Sequence, residues 1–211
     1  CRLLKSAGTN LSRFYPVLNN SVSGTVQVQS GVLELRGGGS SSNLFQIDAG
    51  AVRVADGTLV LNDDWSVSGA GTLQITGGTV DAASTGTIAS GLSLGSSSTA
   101  ILTGDGDVVV DGQFNWSGGR LQGTGKLITR GGSTLSSSNK YLERTVDNEG
   151  AAIWTAGSVY GTGGVYNNLV DGSFDVQSNG NTFGGPTTTF HNAGTLQRTI
   201  GTGTSTIAAV L

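Results

Sequence analysis

The sequence predicts an all-β fold: a right-handed parallel β-helix of about nine coils with roughly 21 residues in each. Three observations carry that prediction. Short runs with apolar residues two apart recur along the whole chain. A glycine-led phrase returns at a nearly constant interval. Gly, Ser and Thr together make up 86 of the 211 residues, whereas only 12% are charged.

In chain order the runs are Val26-Gln27-Val28-Gln29, Val52-Arg53-Val54, Leu59-Val60-Leu61, Leu73-Gln74-Ile75 and Phe174-Asp175-Val176. Each is rich in Val, Leu or Ile and bounded by Gly, Ser, Asn or Asp, the signature of a short half-buried strand. No segment keeps a 3.6-residue period for three turns without an interrupting Gly, which costs about 1 kcal/mol inside a helix. The phrase small-Gly-Thr-apolar-x-apolar appears at Gly24, Gly50, Gly71, Gly86, Gly106, Gly125, Gly150, Gly172 and Gly194. Successive glycines are 26, 21, 15, 20, 19, 25, 22 and 22 residues apart, a mean near 21. A fixed period of that length marks a solenoid. Gly supplies the sharp corners, inward aliphatics stack between coils, and outward Ser, Thr, Asn and Gln hydrogen-bond without stacking like charges. Pro16 and Pro186 lie outside the phrases, as ladder hydrogen bonding requires. An antiparallel sandwich, with a turn every ~8–12 residues, is the alternative reading of the same runs.

Composition also narrows the function classes. With 11 Lys+Arg against 14 Asp+Glu the chain carries a formal charge of −3, which gives nucleic acid or an anionic membrane no basic surface to bind. No stretch approaches the ~18 apolar residues of a membrane span. There is one Cys, Cys1, and one His, His191, so neither a Cys cluster nor a two-His metal site is expected, and no cofactor is. Cys1 could tie one unit to another, and a mature lipoprotein also begins with Cys. The chain has no Met, consistent with a processed product or an excerpt.

A longer period is also visible. At an offset of 193 residues, Leu3, Gly8, Thr9, Ser12, Val17 and Leu18 repeat as Leu196, Gly201, Thr202, Ser205, Val210 and Leu211. On this reading residues 1–211 form a single solenoid domain, one long repeat of about 193 residues plus overlap from a tandem array. Leu3, Gly8, Thr9, Val17 and Leu18 would then meet Leu196, Gly201, Thr202, Val210 and Leu211 at the seam.

Val17-Leu18-Asn19-Asn20-Ser21-Val22-Ser23-Gly24-Thr25-Val26-Gln27-Val28-Gln29-Ser30-Gly31, Trp116 to Gly125, and Phe190-His191-Asn192-Ala193-Gly194-Thr195-Leu196 resemble phrases of giant secreted bacterial surface proteins. Those carry long Gly/Thr-rich β-helical repeats, and their wider group includes filamentous-haemagglutinin-like and autotransporter-passenger adhesins. The resemblance covers nearly the whole chain and is low in complexity. It implies an extracellular or cell-surface location and a role in coating, adhesion or fibre building, and it brings no catalytic residues. Two extra residues, Val22-Ser23, interrupt the Asn-Asn-Ser-Gly-Thr phrase, and Arg13-Phe14-Tyr15-Pro16 is atypical.

Three functions follow as expectations. The first is a structural repeat of a filament or adhesin stalk, whose partner is itself: neighbouring repeats or filaments. The second is a carbohydrate- or receptor-binding module that stacks surface glycans on Trp65, Trp116 and Trp154, with Tyr141, Tyr160 and Tyr166; core packing is the competing role for these rings. The third, a polysaccharide-cleaving enzyme, needs converging carboxylates such as Asp81, Asp105 and Asp111, and the sparse acids argue against catalysis. Asp105-Gly106-Asp107 with Asp111 has neither EF-hand nor RTX spacing and reads as turn chemistry. Thr85-Gly86-Thr87 and Thr202-Gly203-Thr204 are too scattered for an ice-binding array.

Overall fold

The computed structural model describes residues 1–95 and 97–209. The chain winds through ten coils of three short strands. The first five coils are β1 (Arg2–Lys5), β2 (Leu11–Phe14), β3 (Leu18–Asn20); β4 (Thr25–Val28), β5 (Val32–Leu35), β6 (Gly39–Ser41); β7 (Leu44–Ile47), β8 (Ala51–Val54), β9 (Thr58–Leu61); β10 (Ser66–Ser68), β11 (Thr72–Ile75), β12 (Thr79–Ala82); and β13 (Gly86–Ile88), β14 (Gly91–Leu94), β15 (Ile101–Thr103). The second five are β16 (Val108–Val110), β17 (Phe114–Trp116), β18 (Gly119–Leu121); β19 (Lys126–Thr129), β20 (Ser133–Leu135), β21 (Lys140–Leu142); β22 (Thr145–Asn148), β23 (Ala151–Trp154), β24 (Val159–Gly161); β25 (Val165–Asn168), β26 (Ser173–Val176), β27 (Thr182–Phe183); and β28 (Thr189–Asn192), β29 (Thr195–Gln197), β30 (Thr206–Ile207). Every third strand pairs in parallel, giving three ten-stranded sheets. The fold is a β-solenoid, roughly 48 Å long at ~4.8 Å per coil.

The sequence expectation of about nine coils falls one short for a definite reason. The nine glycine phrases mark the second to tenth coils, one each, and the first coil has none. The phrase also changes sheets. It leads β4, β13, β16 and β19 of the first sheet, but β8, β11, β23, β26 and β29 of the second. The irregular intervals of 26, 15 and 25 residues fall where it crosses from one sheet to the other. The coil length itself is steadier than the phrase spacing.

Burial follows the register. In the second sheet Leu35, Val54, Ile75, Leu94, Trp116, Leu135 and Trp154 stack in one inward column, and all are buried. The outward column beside it reads Arg13, Glu34, Arg53 and Gln74. Towards the C-terminal end the core becomes aromatic. Tyr166 and Phe190 stack with centroids 5.3 Å apart and planes at 8°, and Phe174 and Phe183 meet them edge-on. Where backbones crowd at a corner only Gly fits: a Cβ on Gly39, at φ 130°, would lie 1.9 Å from the Leu18 carbonyl oxygen.

The two residues that interrupt the N-terminal phrase have a structural purpose. Ser21–Gly24 is a β-turn closed by the Gly24 amide donating to the Ser21 carbonyl at 2.7 Å. The same turn recurs after Asn167-Asn168, where Gly172 donates to Leu169 at 2.8 Å. Each turn lifts a valine out of the corner, Val22 at 74% and Val170 at 76% exposure.

One inward column of the first sheet changes chemistry along the rod. It runs Val67, Ile88 and Val110, then Thr129, Asn148, Asn168 and Asn192. The Asn148 amide donates to Asn168 Oδ1 at 2.9 Å, and Asn168 donates to Asn192 Oδ1 at 2.7 Å. Asn148 also accepts from the Thr129 hydroxyl and donates to the carbonyls of Gly150 and Ser173. The ladder thereby satisfies the buried amides of Asn148 and Asn168 at a corner of the coil. Replacing Asn168 with Ala should destabilise the chain by about 2–3 kcal/mol, because it empties a fully buried site and removes the hydrogen bonds to Asn148, Asn192 and the Thr195 carbonyl. Asn19→Ala, on the outward face, should stay within about 0.5 kcal/mol. Urea denaturation of the two variants checks the difference.

Candidate functional site

The two ends of the rod expose strand edges. At the N-terminal end β1, β2 and β3 each have one neighbour, and at the C-terminal end so do β28, β29 and β30. Leu4, Leu11, Tyr15, Val17 and Val22 are exposed near the first end, and Leu196 and Ile200 near the last. Only Tyr160 and Val170 complete the exposed large apolar residues described.

Of the seam residues expected from sequence, Leu3 packs partly against the core and Leu18 is buried, whereas Gly8, Thr9 and Val17 are exposed. On the other side Leu196, Gly201 and Thr202 are exposed, and Val210 and Leu211 lie outside the described residues. The 193-residue offset carries β1 onto β29 and β2 onto β30. Leu3 lies in the first sheet and Leu196 in the second, so the offset does not return a residue to its own sheet.

The tryptophans are a correction to the glycan-platform expectation. Trp65, Trp116 and Trp154 are 2%, 1% and 0% exposed, which leaves no ring face for a sugar. They lie in the core because their positions fall on inward columns of the coil. The indole N–H of Trp65 donates to the Ser84 carbonyl at 2.7 Å and that of Trp154 to Gly157 at 2.8 Å. Tyr166 is buried with them. Tyr141 and Tyr160 point outward from the third sheet, with centroids 6.0 Å apart. The Arg120 guanidinium lies 4.1 Å over the Tyr141 ring and 2.9 Å from Glu143.

Two of the three candidate carboxylates share a depression and the third lies apart. Asp81 and Asp105 border a depression of about 330 Å³ with Thr103, Gly104 and Gly123. Asp107 accepts from the Lys126 amide at 2.7 Å, and Asp111 sits on another corner, 3.5 Å from Arg130. Among the described residues no group of three His, Cys, Asp or Glu side chains is placed to hold a metal. Arg130 and Glu149 line a larger groove of about 540 Å³ with Leu169, Val170, Asp171 and Ala193, beneath the raised turn. His191 is exposed on β28, and Cys1 is a free, exposed thiol.

Charged groups elsewhere act as fasteners between coils. Glu34 accepts from Arg36 at 2.7 Å, Arg13 at 3.2 Å and Arg53 at 3.4 Å. Burial pushes its carboxyl up, but the three guanidinium groups together hold it below the ordinary value. Two cations inside the wall were not legible in the sequence. Lys140 is fully buried and donates to the carbonyls of Ser138 and Ala156 at 2.8 and 3.0 Å. Arg144 is buried between coils and donates to the carbonyls of Gly125, Gly106 and Lys126. Both close gaps at Gly-rich corners, where no side chain faces them from the coil below.

Compared with known proteins, the chain matches no family model, no curated protein and no solved structure.

Burial pushes the Lys140 ammonium from 10.5 down to about 8. The unfolded chain holds this proton up to about pH 10.5 and the folded chain releases it near pH 8. The penalty is therefore complete below pH 8, and stability rises with pH between the two values. Denaturant titrations from pH 7 to 11 should show this rise in the native chain and its loss in Lys140→Met.

Proposed function

We propose that the chain is a structural repeat of an extracellular filament or adhesin stalk that assembles by end-to-end β-strand stacking. One observation carries the reading: six of the nine exposed large apolar residues described, Leu4, Leu11, Tyr15, Val17, Leu196 and Ile200, sit on or beside the terminal coils, where three parallel sheets leave open edges. An edge strand presents unpaired N–H and C=O groups, and isolated proteins normally cover or charge it. Here the last strand of the second sheet, β29, is exposed along its length, with Leu196 at its centre. A following coil would complete the ladders and bury those side chains. Low charge density, 12% of residues, lets rods approach. The extracellular location rests on the resemblance to secreted surface repeats. The role is non-catalytic and needs no cofactor; the spread carboxylates support this over polysaccharide cleavage.

Self-association of the purified chain tests the proposal. Sedimentation and negative-stain electron microscopy at rising concentration should show rods lengthening in steps of roughly 48 Å, ten coils at ~4.8 Å. Leu196→Asp, which places a charge at the open end of the inward column above Phe174, should shift the population back to single rods. Single rods at every concentration would overturn end stacking.

A further inference from the structure

The outward face of the third sheet carries a column that reads Thr58, Thr79, Ile101, Arg120, Tyr141, Tyr160. Its first two members, Thr58 and Thr79, are small and polar, like much of the outer wall. The last three are flat. The Arg120 guanidinium covers one side of Tyr141 at 4.1 Å, and Tyr160 follows at 6.0 Å with its plane tilted by 36°. The stack then stops. Val159 pairs with Phe183, where β27 ends, and the next residue, in register with Tyr160, is Gly184. With no side chain above it, Tyr160 is 44% exposed, the most exposed aromatic after Tyr15.

Polar groups flank the stack. Glu143 accepts from Arg120 at 2.9 Å on one oxygen and from Gln122 Nε2 at 2.7 Å on the other. Among the described residues neither the Tyr141 nor the Tyr160 hydroxyl has a protein hydrogen-bond partner. The arrangement combines an open aromatic face, two free phenol hydroxyls and an amide–carboxylate–guanidinium row, whose one positive and one negative charge cancel.

We propose that this stack is a lateral binding site for a neutral carbohydrate chain. A sugar ring presents an apolar C–H face on one side and hydroxyls around its edge. The C–H face would take the next rung above Tyr160, as Arg120 and Tyr160 flank Tyr141. The edge hydroxyls of that ring would reach the Tyr160 phenol oxygen, and those of the next sugars along the chain would reach the Tyr141 phenol and the Glu143–Gln122 row. The balanced charge selects against polyanions, which need a basic surplus. The site lies on the side wall of the sixth to eighth coils, so it is independent of the ends of the rod.

Native gel electrophoresis of the purified chain through hydroxyethyl cellulose, xyloglucan or galactomannan tests the site, with alginate as the polyanion. Retardation is expected in at least one neutral gel and none in alginate. Tyr160→Ala should weaken it at least tenfold while leaving the circular dichroism spectrum and thermal midpoint close to those of the native chain. Leu196→Asp, which tests end stacking, should leave retardation intact. The proposal is overturned if no neutral polysaccharide retards the chain, if alginate alone does, or if Tyr160→Ala binds as well as the native chain. It is also overturned if the tyrosine substitution abolishes self-association instead, since the stack would then be a contact between rods.

Discussion

Parallel register is the constraint on which this structure depends. Each residue must lie beneath a partner about one coil further along the chain, so every side chain is judged against the residues above and below it. Two consequences follow. Inward positions tolerate a change of residue type only if the column repacks locally, as where Trp116, Leu135 and Trp154 succeed one another. Outward positions avoid like charges in sequence, and Arg13, Glu34 and Arg53 alternate accordingly. Stability in such an array is a sum of coil and neighbour terms, and the end coils, each with one neighbour, are the weakest part of it.

The column that passes from Val110 through Thr129 to Asn148, Asn168 and Asn192 shows how the rule accommodates polarity. A single buried Asn would be costly, since its amide needs both donors and acceptors matched. In a row they satisfy each other: the Nδ2 of Asn148 and of Asn168 each finds the Oδ1 of the coil above, and Asn192 ends the row on the Gly194 carbonyl. Lys140 and Arg144 solve the same problem differently, by donating to backbone carbonyls at corners where Gly leaves space. Lys140 donates to no carboxylate among the described residues, and its lowered affinity for the proton records the cost of burial.

The rod has two kinds of surface. Its ends carry most of the exposed large apolar side chains and offer unpaired strands, so they are suited to another coil. Its side wall is mostly small and polar, broken by raised Val22 and Val170 and by the flat stack of Arg120, Tyr141 and Tyr160. Growth along the axis and recognition across the wall therefore draw on different residues and can vary separately. Val22 and Val170 follow the same Asn-Asn-x-Val-x-Gly pattern, on two different corners of the coil. The turn is a portable insertion that leaves coil stacking intact.

The sequence by itself determined the class of fold, the coil length, the use of Gly at corners and the lack of any excess of Lys and Arg over Asp and Glu. Those properties are local or compositional, and period-two runs and a recurring interval reveal them directly. It also held the tenth coil, hidden because the first has no glycine phrase. Only the tertiary structure decided which sheet each phrase leads, and so which ring faces which way. In strands of three or four residues, alternation shows that two sides differ without saying where an aromatic belongs, since Trp and Tyr suit either. Closure of the coil sent Trp65, Trp116 and Trp154 inward and left Tyr141 and Tyr160 on the wall. It also placed Leu3 and Leu196 on different sheets, because a residue's sheet depends on the accumulated length of every corner before it.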